Sequence, residues 1–355
     1  MPILNKENNE DLKKYENFVS SYAGSSLMQS IYWAKSKFEW TPEYVYIEEN
    51  GKIIAAMSVL LKKVPHTKSY IAYSPRGPVC DIRNMELVDK LITEVEKLKE
   101  KYNIFLLKFD PNIKYDENIE RVFKEKGYKV LNKSVDKDDL IQPLHDMIIY
   151  LNNENEEELI KKFSEKTRYN IRLAKKKGVE VYYSRSKEDL KKFYELYKIT
   201  AIRDKIGCRA YEYFETMLDA YNDDSIRIYI AKHEEDYLSA AIAFNYGKEL
   251  FYLYGASSNE KRNLMPNYLM QWEMIKWALE TNCKKYNFGG VLNLDKNNGL
   301  YKFKSGFCKK DGVTEYIGEI DKVYNKNIYF CYTKILPKIK KIKRGIRNIK
   351  RKIKK

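Results

Sequence analysis

The stretch Glu249–Phe307 reads ELFYLYGASSNEKRNLMPNYLMQWEMIKWALETNCKKYNFGGVLNLDKNNGLYKFKSGF, and the rest of the chain is organised around it. It predicts a strand, a loop, a helix that begins near Pro266, a second strand that ends in Gly289-Gly290, and a polar loop. The predicted helix is apolar on nearly every side, so we expect it to lie against a sheet. Lys302 and Lys304 alternate with aromatic residues. This pattern indicates either a cation aimed into a crevice or a hairpin with a solvated row of lysines.

The composition indicates a folded protein with about two domains. The chain has 355 residues, of which 44% are hydrophobic and 33% charged, and this length allows each domain a core of its own. No apolar run reaches the length of a membrane-spanning helix, and residues 1–18 lack the apolar core of a signal peptide. We therefore expect a cytoplasmic location. The five cysteines and three histidines are scattered without a C-x-x-C pair, so neither a structural metal nor a disulfide framework is expected.

The positive charge is concentrated at the C-terminal end. The net charge is +16, and residues 334–355 hold 12 Lys or Arg and no acidic residue. Isoleucines recur there with spacings of four and three, from Ile335 to Ile353. The pattern predicts a basic amphipathic helix of the kind that lies on an anionic membrane surface. Binding of tRNA phosphates and a disordered basic tail are the alternatives.

The order of predicted elements occurs twice. A hairpin, a strand, a helix and a strand are predicted at 43–109 and again at 226–289. This order is typical of N-acyltransferases of the GNAT type. We therefore predict an α/β (α+β) chain with two tandem GNAT-like domains and mixed sheets. The loop before the second central helix, 259–266, contains no glycine, so it offers no nest for a pyrophosphate. An acyl donor other than CoA is implied.

Several further segments carry candidate functional residues. Residues 26–40 are predicted to form a helix that places Trp33 and Lys37 on one face, although its lysines can equally be solvated. Residues 154–177 are predicted to form one long helix with a basic stripe, and residues 140–144 a strand. Arg76 and Asp110 follow predicted strands, where ligands often bind, but Asp-Pro is also an ordinary turn signal.

Taken together, these motifs give the chain a family resemblance. It resembles the Fem family (FemABX) of aminoacyl-tRNA-dependent peptidyltransferases, which build the side branches of peptidoglycan. The motifs that carry the resemblance are Gln29-Ser30 with Trp33, Lys37 and Trp40, then 73–79 (YSPRGPV), 107–111 (LKFDP), 166–175 (KTRYNIRLAK), Thr200 with Arg203, Asp204, Arg209, Tyr213 and Phe214, 254–257 (YGAS) and 299–307 (GLYKFKSGF).

The resemblance implies a domain organisation. The first GNAT-like domain would span 1–150 and be completed by 313–333, and the second would span 151–312. Residues 334–355 would form the basic tail. The chain has no room for the long helical hairpin that some relatives insert in the second domain, so it is similar to the arm-less type.

The resemblance also implies roles for individual residues. Lys37 and Arg209 match positions that hold the diphosphate of the cell-wall precursor, and Lys35 competes with Lys37 for the first position. Lys304 matches a cation that stabilises the transition state of aminoacyl transfer, with Phe303 beside it. Asp110 and Tyr254 match residues that line the peptide side of the cleft, and Asp110 is also a catalytic candidate that would orient or deprotonate the attacking amine. Arg76 is a further candidate for binding substrate.

The expected function follows from these roles. An amine on the stem or branch peptide of a lipid-linked muropeptide would attack the ester of aminoacyl-tRNA, without CoA or metal, and form the interpeptide bridge. The protein would act, as a monomer, at the inner face of the plasma membrane. The alternatives are an aminoacyltransferase for a protein N-terminus or an aminolipid, and a non-catalytic protein that binds RNA or membranes. The sequence names neither the transferred amino acid nor the acceptor residue.

Overall fold

The computed structural model describes residues 3–133, 135–136, 140–221, 224–309 and 312–337. The greater part of the predicted basic tail, 338–355, lies outside these residues. The helices are Asn9–Ser21 (α1), Ile31–Lys35 (α2), Met85–Glu96 (α3), Glu117–Glu125 (α4), Glu156–Lys162 (α5), Glu165–Lys176 (α6), Lys187–Asp204 (α7), Tyr211–Ala220 (α8), Pro266–Glu280 (α9), Gly299–Cys308 (α10) and Lys326–Phe330 (α11). The strands are Thr41–Glu49 (β1), Lys52–Lys63 (β2), Tyr70–Ser74 (β3), Ile104–Phe109 (β4), Lys129–Leu131 (β5), His145–Tyr150 (β6), Glu180–Ser184 (β7), Ile226–His233 (β8), Asp236–Tyr246 (β9), Glu249–Ser257 (β10), Lys285–Gly290 (β11), Val313–Glu315 (β12) and Glu319–Val323 (β13).

The strands form two mixed sheets. In the described residues the first sheet has the order β1-β2-β3-β4-β13-β5, and the second has the order β12-β6-β11-β10-β9-β8-β7. Each sheet contains one parallel pair, β3 with β4 and β10 with β11, among antiparallel neighbours. A helix joins the two strands of each parallel pair, as a parallel connection requires. The predicted mixed α/β architecture with its internal repeat is therefore confirmed.

The chain crosses between the sheets where the sequence did not predict it. Strand β6 pairs with β11 and β12 in the second sheet, although the predicted first domain ran to residue 150. After β12, strand β13 returns to the first sheet and pairs with β4 and β5. The predicted boundary is thus misplaced by one strand, because the alternation of apolar residues marks a strand but does not name its partner.

Helix α9 is the central helix of the second domain, as the opening stretch predicts. Pro266 occupies its first turn, where a missing N–H costs nothing. Its apolar residues pack on one side of the second sheet together with α6 and α10. Helices α7 and α8 cover the opposite side. These two layers of helices bury both faces of the sheet. The ends of its strands are left uncovered, so a binding site is expected there.

Four predicted elements differ from the structure. Residues 299–308 form the helix α10, capped by the Asn298 side chain, where the sequence predicted a loop. The predicted helix 154–177 is two helices, because the Ser164 side chain caps a new helix. The segment 26–40 contains only a 3-10 turn at Leu27–Gln29 and the short helix α2. The predicted strand at 140–144 begins instead at His145.

Candidate functional site

Two cations meet on one aromatic ring at the junction of the domains. The Nζ atom of Lys37 lies 4.6 Å from the ring centroid of Tyr213 and 3.7 Å from that of Trp33. The guanidinium of Arg209 also lies 4.6 Å from the Tyr213 centroid. Lys37 follows α2, Arg209 precedes α8, and these two helices pack together. We call Lys37 and Arg209 the cation pair.

The cation pair is an electrostatically unsatisfied arrangement. Burial and the neighbouring charge of Arg209 hold the pKa of Lys37 well below its ordinary value. In the described part of the chain, no salt bridge joins either cation to a carboxylate. Two adjacent cations without a counter-charge favour an anion between them, and a guanidinium fork binds phosphate oxygens well. Lys35 is exposed and stacks on Tyr32, so the geometry selects Lys37 of the two candidates.

Tyr254 extends the cation pair. Its hydroxyl lies 2.9 Å from that of Tyr213, which also hydrogen-bonds to Lys37. The sequence placed Tyr254 with Asp110 on the peptide side of the cleft, but the structure places it beside the cation pair. A β-bulge between Tyr252 and Tyr254 shifts the strand pairing at this point. Tyr213 belongs to a motif that carries the family resemblance, but the sequence assigned it no role, because only the structure shows that its ring lies between the two cations.

Arg76 forms a buried bridge between the two domains. Its backbone N–H donates to Oδ1 of Asp110 at 2.9 Å, and its side chain lies 3.8 Å from Asp110 and 3.9 Å from Asp146. The guanidinium also stacks on Tyr316 at 3.9 Å, and the Tyr316 hydroxyl donates to Asp146. Arg76 was predicted to bind substrate. Its side chain is 6% exposed, it joins residues of the two sheets, and it lines the cleft between them, so substrate binding by Arg76 stays a prediction.

The bridge perturbs the carboxylate of Asp110. Burial raises the pKa of Asp110 to about 7, and the charge of Arg76 opposes the shift. Asp110 is 2% exposed at the end of β4. Such a group changes its charge near neutral pH, which is the property of a residue that accepts or orients a proton. Sequence reasoning found Asp110 but not Asp146, on β6 of the second sheet, or Tyr316, which lies between β12 and β13.

Lys304 is a buried ammonium on α10. Its Nζ donates to the carbonyl of Gly289 at 3.1 Å and to that of Gly290 at 2.8 Å. Burial lowers the pKa of Lys304 to about 8, while the charge of Asp146 acts in the opposite direction. The sequence predicted a cation aimed into a crevice or a solvated row. Lys304 is 4% exposed, so the first of these descriptions applies.

The two glycines shape the Lys304 site. Gly289 has a φ of +72°, which L side chains rarely adopt, and a Cβ on Gly290 would lie 2.2 Å from a ring carbon of Pro143. The end of β11 can therefore turn both carbonyls toward Lys304 only with glycine at these positions. The sequence showed the Gly-Gly pair but not the lysine that it serves.

A large cavity lies on the other side of α10. It has a volume of about 630 Å³ and is bounded by the ends of β10 and α7 and by the starts of α9 and α10. Phe303 lines it and packs edge-to-face on Tyr268 at 4.9 Å. Arg203 and Arg262 stand on its wall. Phe303 and Lys304 thus face different surroundings from adjacent positions.

A second, narrower cleft lies between the domains. The residues that line it include Leu27, Met28, Arg76, Asp146, Glu249 and Tyr316. Gln29 fixes one wall, since its side-chain amide donates to Ser74 and to the carbonyl of Pro75 and accepts from the backbone N–H of Ser58. The described residues include no group of His, Cys, Asp and Glu that could hold a metal ion. Within these residues, no helix has the length and apolar character needed to cross a bilayer.

The two mixed sheets form a tandem fold of the GNAT type. A tandem GNAT protein from the clavulanic acid biosynthesis pathway has the same fold, with a TM-score of 0.54, 10% identity and 91% of this chain covered against 98% of its own. The chain belongs to the FemAB family, whose model matches residues 11–236 and 228–336. The predicted family is thereby confirmed.

Three relatives have names or structures that bear on function. The UDP-N-acetylmuramoylpentapeptide-lysine N(6)-alanyltransferase of Weissella viridescens is 35% identical over 334 residues, 93% of this chain and 98% of the relative. The lipid II:glycine glycyltransferase of Staphylococcus epidermidis is 29% identical over 406 aligned positions, 93% of this chain and 96% of the relative. The crystal structure of FemX superposes with a TM-score of 0.82 and 27% identity, covering 94% of this chain and 100% of its own.

The lengths of the alignments bear on whether the chain is of the arm-less type, which lacks the inserted helical hairpin. The alignment to the glycyltransferase is longer than this chain of 355 residues, so that relative carries inserted residues. The alignment to the alanyltransferase, with 334 residues, is shorter than this chain. In the ranges that the structure describes, the longest helix of the second domain is α7, with 18 residues.

Proposed function

We propose that the chain transfers an amino acid from aminoacyl-tRNA to an amine on the peptide of a lipid-linked peptidoglycan precursor. The observation that carries this proposal is the pairing of two distinct sites at one domain junction. The cation pair fits a diphosphate, and Lys304 is a buried ammonium suited to a developing oxyanion. One relative is named for a UDP-linked muramoyl pentapeptide and the other for lipid II, so both names agree with a muramoyl-peptide acceptor and the second agrees with its lipid-linked form.

The reaction needs no covalent nucleophile. The acceptor amine attacks the ester carbonyl, the new C–N bond forms, and the bond to the ribose oxygen breaks. The amine proton passes to that ribose oxygen as it leaves. The Lys304 ammonium stabilises the negative charge that develops on the carbonyl and ribose oxygens, and the cleft holds amine and ester together. Asp110 orients the attacking amine.

The donor is assigned to the cavity beside Phe303. Its walls combine aromatic rings with Arg203 and Arg262, which suits the stacked bases and phosphates of a tRNA acceptor end. Helix α6 packs against α10 and carries exposed Arg172, Lys175 and Lys176. These cations extend the phosphate-binding surface beyond the cavity. The loop before α9 holds no glycine nest, so the proposal excludes CoA as the donor.

The location of the protein follows from the acceptor. A lipid-linked precursor stays in the membrane, so the enzyme works at the inner membrane face, to which the basic residues 334–355 are attracted. We propose that this tail contacts anionic lipid and not tRNA.

One experiment tests the proposed function. The protein is incubated with charged tRNA and a lipid-linked muropeptide, and the muropeptide is examined by mass spectrometry. We expect a mass increase of one amino acid residue, which is absent with uncharged tRNA and strongly reduced in Lys304→Met. Parallel reactions with an aminolipid and with a peptide carrying a free N-terminus test the rival acceptors. If either reacts while the muropeptide does not, the proposed acceptor is wrong.

A further inference from the structure

Three exposed apolar side chains lie close in sequence to the cation pair. Phe38, the residue after Lys37, is 62% exposed. Ile202, near the C-terminal end of α7, and Ile206, just after it, are 80% and 53% exposed. Single exposed apolar residues are common on proteins, but each of these three lies on a segment that carries Lys37 or leads into Arg209.

The segment of Phe38 adjoins the loop of Arg209. Phe38 is flanked by Lys37, which shares the Tyr213 ring with Arg209, and by Glu39. The pKa of Glu39 is lowered by its hydrogen bond with Lys62 and also by the charge of Arg209. Phe38 therefore lies between two residues that both interact with Arg209.

The two isoleucines flank the end of α7, ahead of Arg209. The backbone N–H of Ile206 donates to the carbonyl of Ala201 at 3.1 Å, and the Tyr197 hydroxyl donates to the carbonyl of Gly207 at 3.3 Å. These contacts anchor the turn that leads into Arg209. Ile202 lies in the last turn of α7, and Ile206 follows Lys205, whose left-handed conformation ends the helix.

The charges around these apolar residues are of both signs, with basic residues in excess. Lys198 lies one turn before Ile202, and Lys205 precedes Ile206; both are exposed. Glu195 is exposed one turn before Lys198, and Glu212 is exposed three residues after Arg209. The carboxylates of Glu39 and Asp204 are paired with Lys62 at 2.6 Å and with Arg203 at 2.8 Å. An apolar centre with a cationic rim matches an anionic lipid surface.

The C-terminal end of the described chain lies on the same side. Trp40 and Tyr332 pack on one cluster of the first sheet, around Phe105. Trp40 is two residues from Phe38, and Tyr332 is five residues from the last described residue. The sequence beyond residue 337 contains 11 Lys or Arg. This basic segment therefore begins near the exposed apolar residues.

We propose that Phe38, Lys198, Ile202, Lys205 and Ile206 form a membrane-contacting face, which rests on an anionic bilayer so that the prenyl chain of the precursor passes directly from the cation pair into lipid. The inference rests on the proposed function, because the prenyl chain is bonded to the diphosphate that the cation pair holds.

A comparison of two acceptors tests the membrane-contacting face. One acceptor is the lipid-linked muropeptide in phosphatidylglycerol vesicles, and the other is a water-soluble muropeptide diphosphate with a short prenyl chain. We expect the double variant F38S/I202S to raise KM for the vesicle acceptor by about tenfold or more, with kcat/KM for the soluble acceptor unchanged within about twofold. The matched control is Tyr183→Ser. Tyr183 is 54% exposed and contacts Arg227 on the α9 side of the second sheet, opposite α7.

Hydrogen exchange provides a readout that does not require activity. With phosphatidylglycerol vesicles, we expect slower amide exchange in peptides covering 36–40 and 198–210 and no change in those covering 180–184. With phosphatidylcholine vesicles the protection should be lost. Unchanged exchange at 36–40 and 198–210 on protein bound to anionic vesicles would overturn the inference. A reduction of kcat/KM by F38S/I202S that is equally large for both acceptors would also overturn it. If neither acceptor reacts with the unaltered protein, the proposed function fails, while the exchange experiment still decides the membrane-contacting face.

Discussion

Lys37 and Arg209 come from different domains and share the ring of Tyr213, with each cationic group 4.6 Å from its centroid. The arrangement costs free energy without a ligand, because like charges repel and burial disfavours the Lys37 ammonium. An anion removes both penalties. The cation pair is therefore preorganised for a doubly charged phosphate group.

The first prediction concerns acceptor binding. Arg209→Ala should weaken binding of a soluble muropeptide diphosphate by about tenfold to a hundredfold, because a charge-assisted fork to phosphate is lost. Calorimetric titration measures the affinity. Lys35→Ala is the control, since Lys35 is exposed and lies outside the cation pair. Equal affinity of Arg209→Ala and the unaltered protein would refute the assignment.

The second prediction concerns Lys304. Lys304→Met should lower kcat by about tenfold or more while the acceptor still binds, because the ammonium acts on charge that exists only in the transition state. The neighbouring Lys302→Met should leave kcat unchanged, since Lys302 is exposed. A loss of acceptor affinity that matches the loss in kcat would show that Lys304 binds the ground state instead.

The third prediction concerns the alkaline side of the pH profile. Because the pKa of Lys304 is lowered to about 8, its ammonium is charged below that pH and is lost as the pH rises through 8. The rate should therefore fall above about pH 8. Lys304→Arg keeps a cation at every accessible pH, so its residual rate should not show this fall. An identical alkaline limb in Lys304→Arg would assign the titration to another group.

The fourth prediction concerns the acid side of the profile. The pKa of Asp110 is raised to about 7, so its carboxylate forms as the pH rises through 7, and kcat/KM should rise over that interval. Asp110→Asn should lower kcat/KM above pH 7 and flatten the rise. Pre-steady-state rates at pH 6 and pH 8 separate this effect from binding. If kcat/KM of Asp110→Asn rose by the same factor over this pH interval, Asp110 would not be the group that titrates.

The fifth prediction concerns the Arg76 bridge. Arg76→Met removes the cation that faces Asp110 and Asp146 and should reduce the free energy of unfolding by about 3–5 kcal/mol, because buried carboxylates are left without a counter-charge. Urea unfolding measures the loss. Arg83→Met is the control, since Arg83 makes an exposed ion pair with Asp116, and exposed pairs contribute at most about 1 kcal/mol. Similar losses in both variants would contradict the bridge.

The sequence predicted individual helices and strands better than it predicted which strands pair with one another. The repeat of hairpin, strand, helix and strand was correct, because alternation and helical spacing depend on neighbouring residues. The placement of β6 was wrong, since strand pairing between distant segments leaves no local pattern. Helix α10 was missed because two glycines and alternating lysines favour a loop by propensity, and packing of Phe307 against Phe163 and Phe288 outweighs that preference.

The candidate site shows the same division. Lys37, Arg209 and Lys304 were found through motifs, and the structure shows two of them on one ring and the third tied to Gly289 and Gly290. Asp146 and Tyr316 were not found, and Tyr213 was assigned no role, because their importance arises only from what stands next to them in three dimensions. Tyr254 and Arg76 were also found, but the sequence did not predict their neighbours. A motif identifies a residue without showing which side chains it contacts in the fold.

The position of β13 has a consequence for folding during synthesis. This strand, Glu319–Val323, lies in the interior of the first sheet between β4 and β5, yet it is synthesised after every strand of the second sheet. Domains are generally expected to fold in order as the chain emerges. Here the first sheet keeps a gap between β4 and β5 until the whole second sheet has been synthesised.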